Sequence, residues 1–215
     1  SSQTIIDCLL KEANKYGVEI LMNREVKALS MVNGRWSVIF ERNDPIETDY
    51  VCIASGGYPK PIQFEWVKQS VHHIEDPVPS LFTFNMPGNT ITSLMGVSVE
   101  KVNVKIARSK LSQEGPLMIT HWGMSGPAIL KLSAWGAREL AISNWRFSII
   151  VNWVPDFNEN SLREKFQQLR FDIASKKIIN RNPFALPNRL WEYLLTLSQI
   201  KDDLRWADLP AKEQG

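Results

Sequence analysis

The chain is poor in the residues on which the commonest site chemistries rest. It has two cysteines, Cys8 and Cys52, and three histidines, His72, His73 and His121. Two thiols cannot build a disulfide framework or a four-thiolate zinc site, and no pair of histidines has the His-Glu-x-x-His spacing of a zinc helix. Both cysteines stand among apolar neighbours, which predicts buried free thiols in a reducing cytosol. His72-His73 reads as a solvated pair at or just beyond a helix, with adventitious metal binding as the lesser alternative. No two glycines stand two apart, so there is no Gly-x-Gly-x-x-Gly dinucleotide loop, and no Gly-Lys-Ser/Thr closes a phosphate loop. No apolar run is long enough to span a bilayer, and no basic–apolar–small pattern stands at the start, so no membrane partner is expected. Neither sign of charge is in excess. The 25 basic and 23 acidic side chains leave +2, which predicts no nucleic-acid partner.

What is present describes a globular chain. With 215 residues, 44% hydrophobic and 22% charged, wholesale disorder is excluded and one large or two small domains can bury a core. Ile5, Ile6, Leu9, Leu10 and Ala13 recur at helical spacing and Gly17 stops the run. Val18–Leu21 reads as a short strand. Glu25–Val32 and Arg35–Glu41 read as a hairpin joined at Asn33-Gly34, the preferred pair for a type I′ turn, and Asn43-Asp44-Pro45 marks a further turn. Tyr50–Ala54 is a compact apolar strand running into Ser55-Gly56-Gly57. That glycine pair is either a simple turn or a place where a ligand or another backbone comes close.

After a helix over Gln63–Val71, Asp76-Pro77-Val78-Pro79-Ser80 reads as a linker and a domain boundary. Dense short strands follow at Leu81–Phe84, Val97–Glu100, Val102–Ile106, Leu117–Thr120 and Phe147–Val154, which suggests a barrel or sandwich. Helical composition over Pro127–Ala141 interrupts them. The tail predicts two helices, one opened by a Ser161–Glu164 capping box and one from about Pro187 through Leu197. The fold class expected is α+β. Trp135, Trp145, Trp153, Trp191 and Trp206 are either core or a partner surface.

The phrase Thr120-His121-Trp122-Gly123-Met124-Ser125-Gly126-Pro127-Ala128 joins a strand to a helix. Its Gly-Met-Ser-Gly-Pro falls short of the Gly-x-Ser-x-Gly nucleophile elbow, because Pro127 stands at the last position. Ser125 is a candidate cap and Pro127 suits the first turn. His121 can donate a hydrogen bond and Trp122 can stack, ahead of a helix end that favours an anion or an electron-rich ring edge. A plainly structural capped helix is the competing reading.

Ile53-Ala54-Ser55-Gly56-Gly57-Tyr58-Pro59 resembles the Ala-Thr-Gly-Gly signature of two-dinucleotide-binding flavoproteins. With Asp76–Leu81, His121–Ala128 and Leu186–Glu192 following in order, the chain resembles the YhiN/BaiN-like family of NAD(P)/FAD-dependent oxidoreductases. The resemblance departs after the glycine pair, where Tyr58-Pro59-Lys60-Pro61 replaces a Thr-Gly-Ser/Thr-rich stretch. It implies that the chain is an internal piece, with residues 1–77 from the FAD-binding domain. Residues 78–215 would then be an inserted domain, its β-barrel at about 78–154 and its helical part at about 155–210. It implies FAD as cofactor, with NAD(P)H as electron source. Ala54, Ser55, Gly56 and Gly57 would lie near the dinucleotide, and His121 and Ser125 would face flavin or substrate. A small-molecule substrate, not identified, and a cytoplasmic location are expected. The alternative is a non-catalytic binding or regulatory module whose flavin is structural or absent.

Overall fold

The computed structural model describes residues 2–68 and 73–210. The chain divides into two compact units, Ser1–Pro77 and Val78–Gly215, each with its own antiparallel sheet.

The first unit opens with α1 (Ser2–Lys15). Gly17, at φ +70°, ends it: its amide bonds Asn14 O at 3.2 Å and the Val18 amide bonds Ala13 O at 3.0 Å, a Schellman closure. Strands β1 (Val26–Val32) and β2 (Arg35–Phe40) form the expected hairpin, and β3 (Ile46–Thr48) adds to the far side of β2. Asn33 at φ 50° and Gly34 at φ +79° supply the two left-handed residues that a type I′ turn requires.

This unit buries little. Among its described residues only Leu29 and Ser37 are buried, and the α1 stripe is open, with Ile5 65% and Leu9 66% exposed. Several expectations fail for that reason. Cys8 and Cys52 are exposed rather than buried, since among the described residues of the unit no apolar layer lies over α1 or over the Cys52 segment. Val18–Leu21 and Tyr50–Ala54 are irregular. A run of strand-forming residues becomes a strand only beside a ladder partner, and these two have none among the described residues of the unit. The expected helix after Gln63 is a 3₁₀ turn (Pro61–Phe64) running into the short α2 (Glu65–Lys68); residues 69–71 and His72 lie outside the described residues. His73 is exposed and shares a 2.9 Å hydrogen bond with Glu75.

The second unit is built on a five-stranded sheet in the order β4-β7-β6-β5-β8. The strands are β4 (Phe84–Asn85), β5 (Ser98–Ile106), β6 (Ser112–Ile119), β7 (Gly123–Ser125) and β8 (Ile149–Asn152). The two runs expected at Val97–Glu100 and Val102–Ile106 are one strand, β5. Its register against β6 jumps from Val99↔Leu117 to Val102↔Gly115, a bulge with one extra residue on β5. A bulge bends its strand and raises local twist. The sheet curls accordingly. Phe84 on one edge strand meets Phe147, which leads into the other, at 4.9 Å between ring centroids. Strands β4 and β8 do not pair, so the sheet is a half-barrel.

Alternation on the strands sends Val102, Val104, Ile106, Leu117 and Ile119 inward, all at 4% exposure or less. Helix α3 (Pro127–Trp135) covers them with Ala128, Ile129 and Leu132, and α4 (Ala137–Ile142) follows after Gly136. Beyond β8 come α5 (Glu159–Asp172), α6 (Asn188–Leu197) and a 3₁₀ turn at Trp206–Asp208. Leu169, Ile178, Leu190, Trp191, Leu195 and Trp206 are buried among them. Trp191 and Trp206 are therefore core, whereas Trp135 is 76% exposed. Among the described residues no helix is long and apolar enough to cross a membrane.

The capping box of α5 stands earlier than Ser161–Glu164. Asn158 is the cap: its Oδ1 accepts from the Ser161 amide at 2.9 Å, and Ser161 Oγ accepts from the Asn158 amide at 3.0 Å. Asn158→Ala should therefore cost about 0.5–2 kcal/mol of stability, while Glu164→Ala should stay within about 0.5 kcal/mol. Urea denaturation of the two variants reads the difference.

Candidate functional site

Strands β6 and β7 pair through Met118↔Ser125 and Ile119↔Met124. The Thr120 amide bonds Gly123 O at 2.8 Å, and the Gly123 amide points back to Thr120 O at 3.4 Å and Thr120 Oγ1 at 3.2 Å. This closes a tight turn with His121 and Trp122 at its tip. Trp122 O also accepts from the Met86 amide at 2.7 Å, just past β4. The backbone of the tip is thus held on two sides, and it presents two exposed rings in edge contact, 3.9 Å between centroids.

The glycines of the phrase are dictated by packing. A Cβ at Gly123 would stand 2.1 Å from Phe84 O, because β4 crosses there. At Gly126, φ is +101° and a Cβ would stand 2.9 Å from Pro116 O and 3.1 Å from Leu117 Cα. Gly126 is also the residue that caps α3, with no side-chain bond, and Pro127 takes the first helical position as expected. Ser125 is not the cap. Gly126 turns the chain between them, which leaves Ser125 half-buried on β7, extended and opposite Met118.

Ala54, Ser55, Gly56 and Gly57 lie in the first unit and all four are exposed. Gly56 has φ +75°, and a Cβ on Gly56 or Gly57 would meet nothing within 4 Å. The segment is small, open and partly left-handed, which suits close approach of a planar or phosphorylated group to the backbone. It lacks the run of amides with which a glycine-rich loop binds a pyrophosphate. The fit to a flavin dinucleotide is therefore partial. His121 and Ser125 share one turn and strand of the second unit, while residues 54–57 belong to the first, so neither unit alone assembles the full set.

Two clefts of the second unit escaped the sequence reading. One, of about 390 Å³, lies at the open seam of the sheet between Phe84, Asn85 and Met86 on one side and Trp145, Phe147 and Ile149 on the other. The other, about 380 Å³, is lined by Lys101, Trp153, Asp156 and Phe184 among others. There Lys101 donates to Asp156, which holds its ammonium above the ordinary lysine value. Nothing in the local sequence signals either, because each gathers residues from segments far apart in the chain. Charge distribution was hidden as well. The second unit carries 17 lysines and arginines against 12 aspartates and glutamates, a net of +5, and the first carries 8 against 11, a net of −3.

Gly123→Ala should cost about 1–3 kcal/mol through the forced clash with the β4 backbone. Ser125→Ala, with no cap to lose, should stay within about 0.5 kcal/mol. Denaturant midpoints of this chain check both, and a large loss at Ser125 alone would contradict the assignment of the helix start.

Comparison with known proteins follows the division into units. Residues 78–215, the whole second unit, match the family described as HI0933-like protein barrel and H2TH domain. Over 94% of its length the chain is similar to two curated proteins named ribosomal RNA dihydrouridine synthase. It is 24% identical to the one from Haemophilus influenzae and 27% to the one from Escherichia coli K12. The chain spans about half the length of these relatives, 50% of each. The curled sheet followed by a helical pair is what a barrel and H2TH description leads one to expect, and with the match covering well over half of its residues, the chain belongs to the HI0933-like family.

Proposed function

We propose that this chain is part of a flavin-dependent oxidoreductase that reduces uracil in ribosomal RNA to dihydrouridine. The observation that carries the reading is the similarity along 94% of the chain to two proteins named for that activity. Family membership and the resemblance of the Ala54–Gly57 segment to a flavoprotein signature support the flavin part. The reading departs from the expectation of no nucleic-acid partner, which rested on the charge of the whole chain; a net of +5 on the second unit is compatible with a polyanion. An RNA substrate also fits a cytoplasmic location.

Reducing the uracil 5,6 double bond takes two electrons and two protons. Bound FAD, recharged by NADH or NADPH, would supply the electrons. This chain's own residues have simpler tasks. Gly56 and Gly57 let the cofactor approach their backbone with no side chain in the way, and Ala54 and Ser55 add only small ones. His121, exposed at a turn held by Thr120, Gly123 and Met86, carries a proton to the base. Trp122 offers a ring face for stacking. Ser125 keeps the lesser role of holding β7 behind that turn.

The test uses protein of the relatives' full length. It should be yellow, bleach with NADH or NADPH, and form dihydrouridine in unmodified ribosomal RNA. His121→Ala should lower dihydrouridine formation by about 10²-fold or more while flavin bleaching persists. Colourless protein, or bleaching with no RNA product, would overturn the proposal; colourless protein that still bound RNA would favour a binding module instead. This chain alone should not hold FAD at sub-micromolar affinity, since it has no pyrophosphate loop; a titration followed by flavin fluorescence reads this.

A further inference from the structure

We infer that Lys177 and Arg205 form a contact site for the phosphodiester backbone of RNA, an inference that rests on the RNA reading above. The two residues face each other in an isolated antiparallel bridge that ties the α5–α6 connection to the segment after α6. The flanking bonds are Ile178 N–H to Leu204 O and Trp206 N–H to Lys176 O, both 3.0 Å. Lys177 and Arg205 are therefore a non-hydrogen-bonded pair, the class in which Cα atoms come to about 4.5 Å and side chains leave on the same face. The opposite face is fixed by burial: Ile178 is 2% and Trp206 1% exposed. Alternation then sends Lys177 and Arg205 into solvent, where both are exposed.

Like charges directly opposite on a ladder repel. Neither residue has an ion pair among the described residues. Asp172, Asp202, Asp203 and Asp208 lie in the same stretches of chain, yet none bridges to either cation. Among the described residues nothing offsets the two opposed cations, and an anion laid across the pair turns the repulsion into attraction.

The pair is also rigidly presented. Trp191 Nε1 donates to Ile178 O at 3.1 Å, Ala207 N–H to Ala174 O at 3.1 Å, and Arg170 Nη2 to Ala207 O at 3.2 Å. These bonds fasten the ribbon to α5 and α6. At the Arg170 end Phe171 is 84% exposed beside an open cleft shared with Gln167 and Ala207. Cations with an exposed ring in the adjoining cleft are the pattern of a nucleic-acid strand, phosphates on the charges and a base on the ring, rather than of an acidic peptide.

The experiment measures binding of deproteinised ribosomal RNA to the full-length protein between about 50 and 200 mM salt. The double variant Lys177→Gln/Arg205→Gln should bind about tenfold more weakly, with a salt slope smaller by about 1.4–1.8, the loss of two phosphate contacts. Its melting temperature should be equal or higher, because a repulsive pair has been removed, and Lys177→Arg should bind as the parent does. Unchanged affinity and slope in the double variant would overturn this inference alone. A fall in melting temperature would mean that the pair is structural, and competition by polyglutamate as strong as by RNA would mean an acidic polypeptide partner; either overturns it. Parent protein that does not bind RNA would overturn the RNA reading as well.

Discussion

The closest constraint in the second unit is the crossing of β4 over Gly123. The Phe84 carbonyl stands where a Cβ of residue 123 would be, 2.1 Å away by construction, so only glycine permits β4 to pair with β7. Much else depends on that crossing. It sets one edge of the curled sheet, and through the Met86–Trp122 bond it fixes the backbone of the turn that displays His121 and Trp122. Three residues later Gly126 does the same against β6 and turns the chain into α3, whose Ala128, Ile129 and Leu132 close the core. One short phrase thus serves as sheet edge, turn and helix start. Small variation in it would be felt first as misplacement of the two exposed rings.

The two units differ in how far their own residues satisfy them. The second has a continuous core from Phe84 to Leu209. In the first, α1 keeps a full amphipathic stripe with no buried residue, and two apolar runs at 18–21 and 50–54 stay irregular. An apolar stripe at helical spacing specifies a partner surface, and the unit as described does not provide one. The exposure of Cys8 on that helix follows from the same lack.

What the sequence made legible follows the range of the forces involved. Local signals succeeded: Gly17 closing α1, Asn33-Gly34 turning the hairpin, the alternation of Val102, Val104 and Ile106, Pro127 opening α3. Contests between neighbouring local signals were harder. Ser125 and Gly126, or Asn158 and Ser161, are each plausible caps; the close approach of Gly126 to β6 decides the first and the reciprocal Asn158–Ser161 bonds the second. Non-local features were invisible. The seam cleft joins residues 84–89 to 145–149, and the Lys177–Arg205 bridge joins positions far apart in the chain. Net charge hides a distribution in a related way, since +5 and −3 on the two units sum to a near-neutral +2.

The glycines also separate positions that the fold requires from positions it leaves unexplained. Gly123 and Gly126 are accounted for by the backbone atoms a Cβ would strike, and Gly17, Gly34 and Gly56 by left-handed conformations. Gly57 has neither reason. Its φ is not positive, and a Cβ there would enter open space. Within this chain an alanine would fit as well, and a helix or strand former would cost less chain entropy on folding. On the flavin reading proposed above, such a glycine, beside Ala54, Ser55 and Gly56 in an exposed segment, leaves room for the cofactor to come close to its backbone. That leaves the Ala54–Gly57 segment as the point at which the proposed cofactor bears most directly on the sequence.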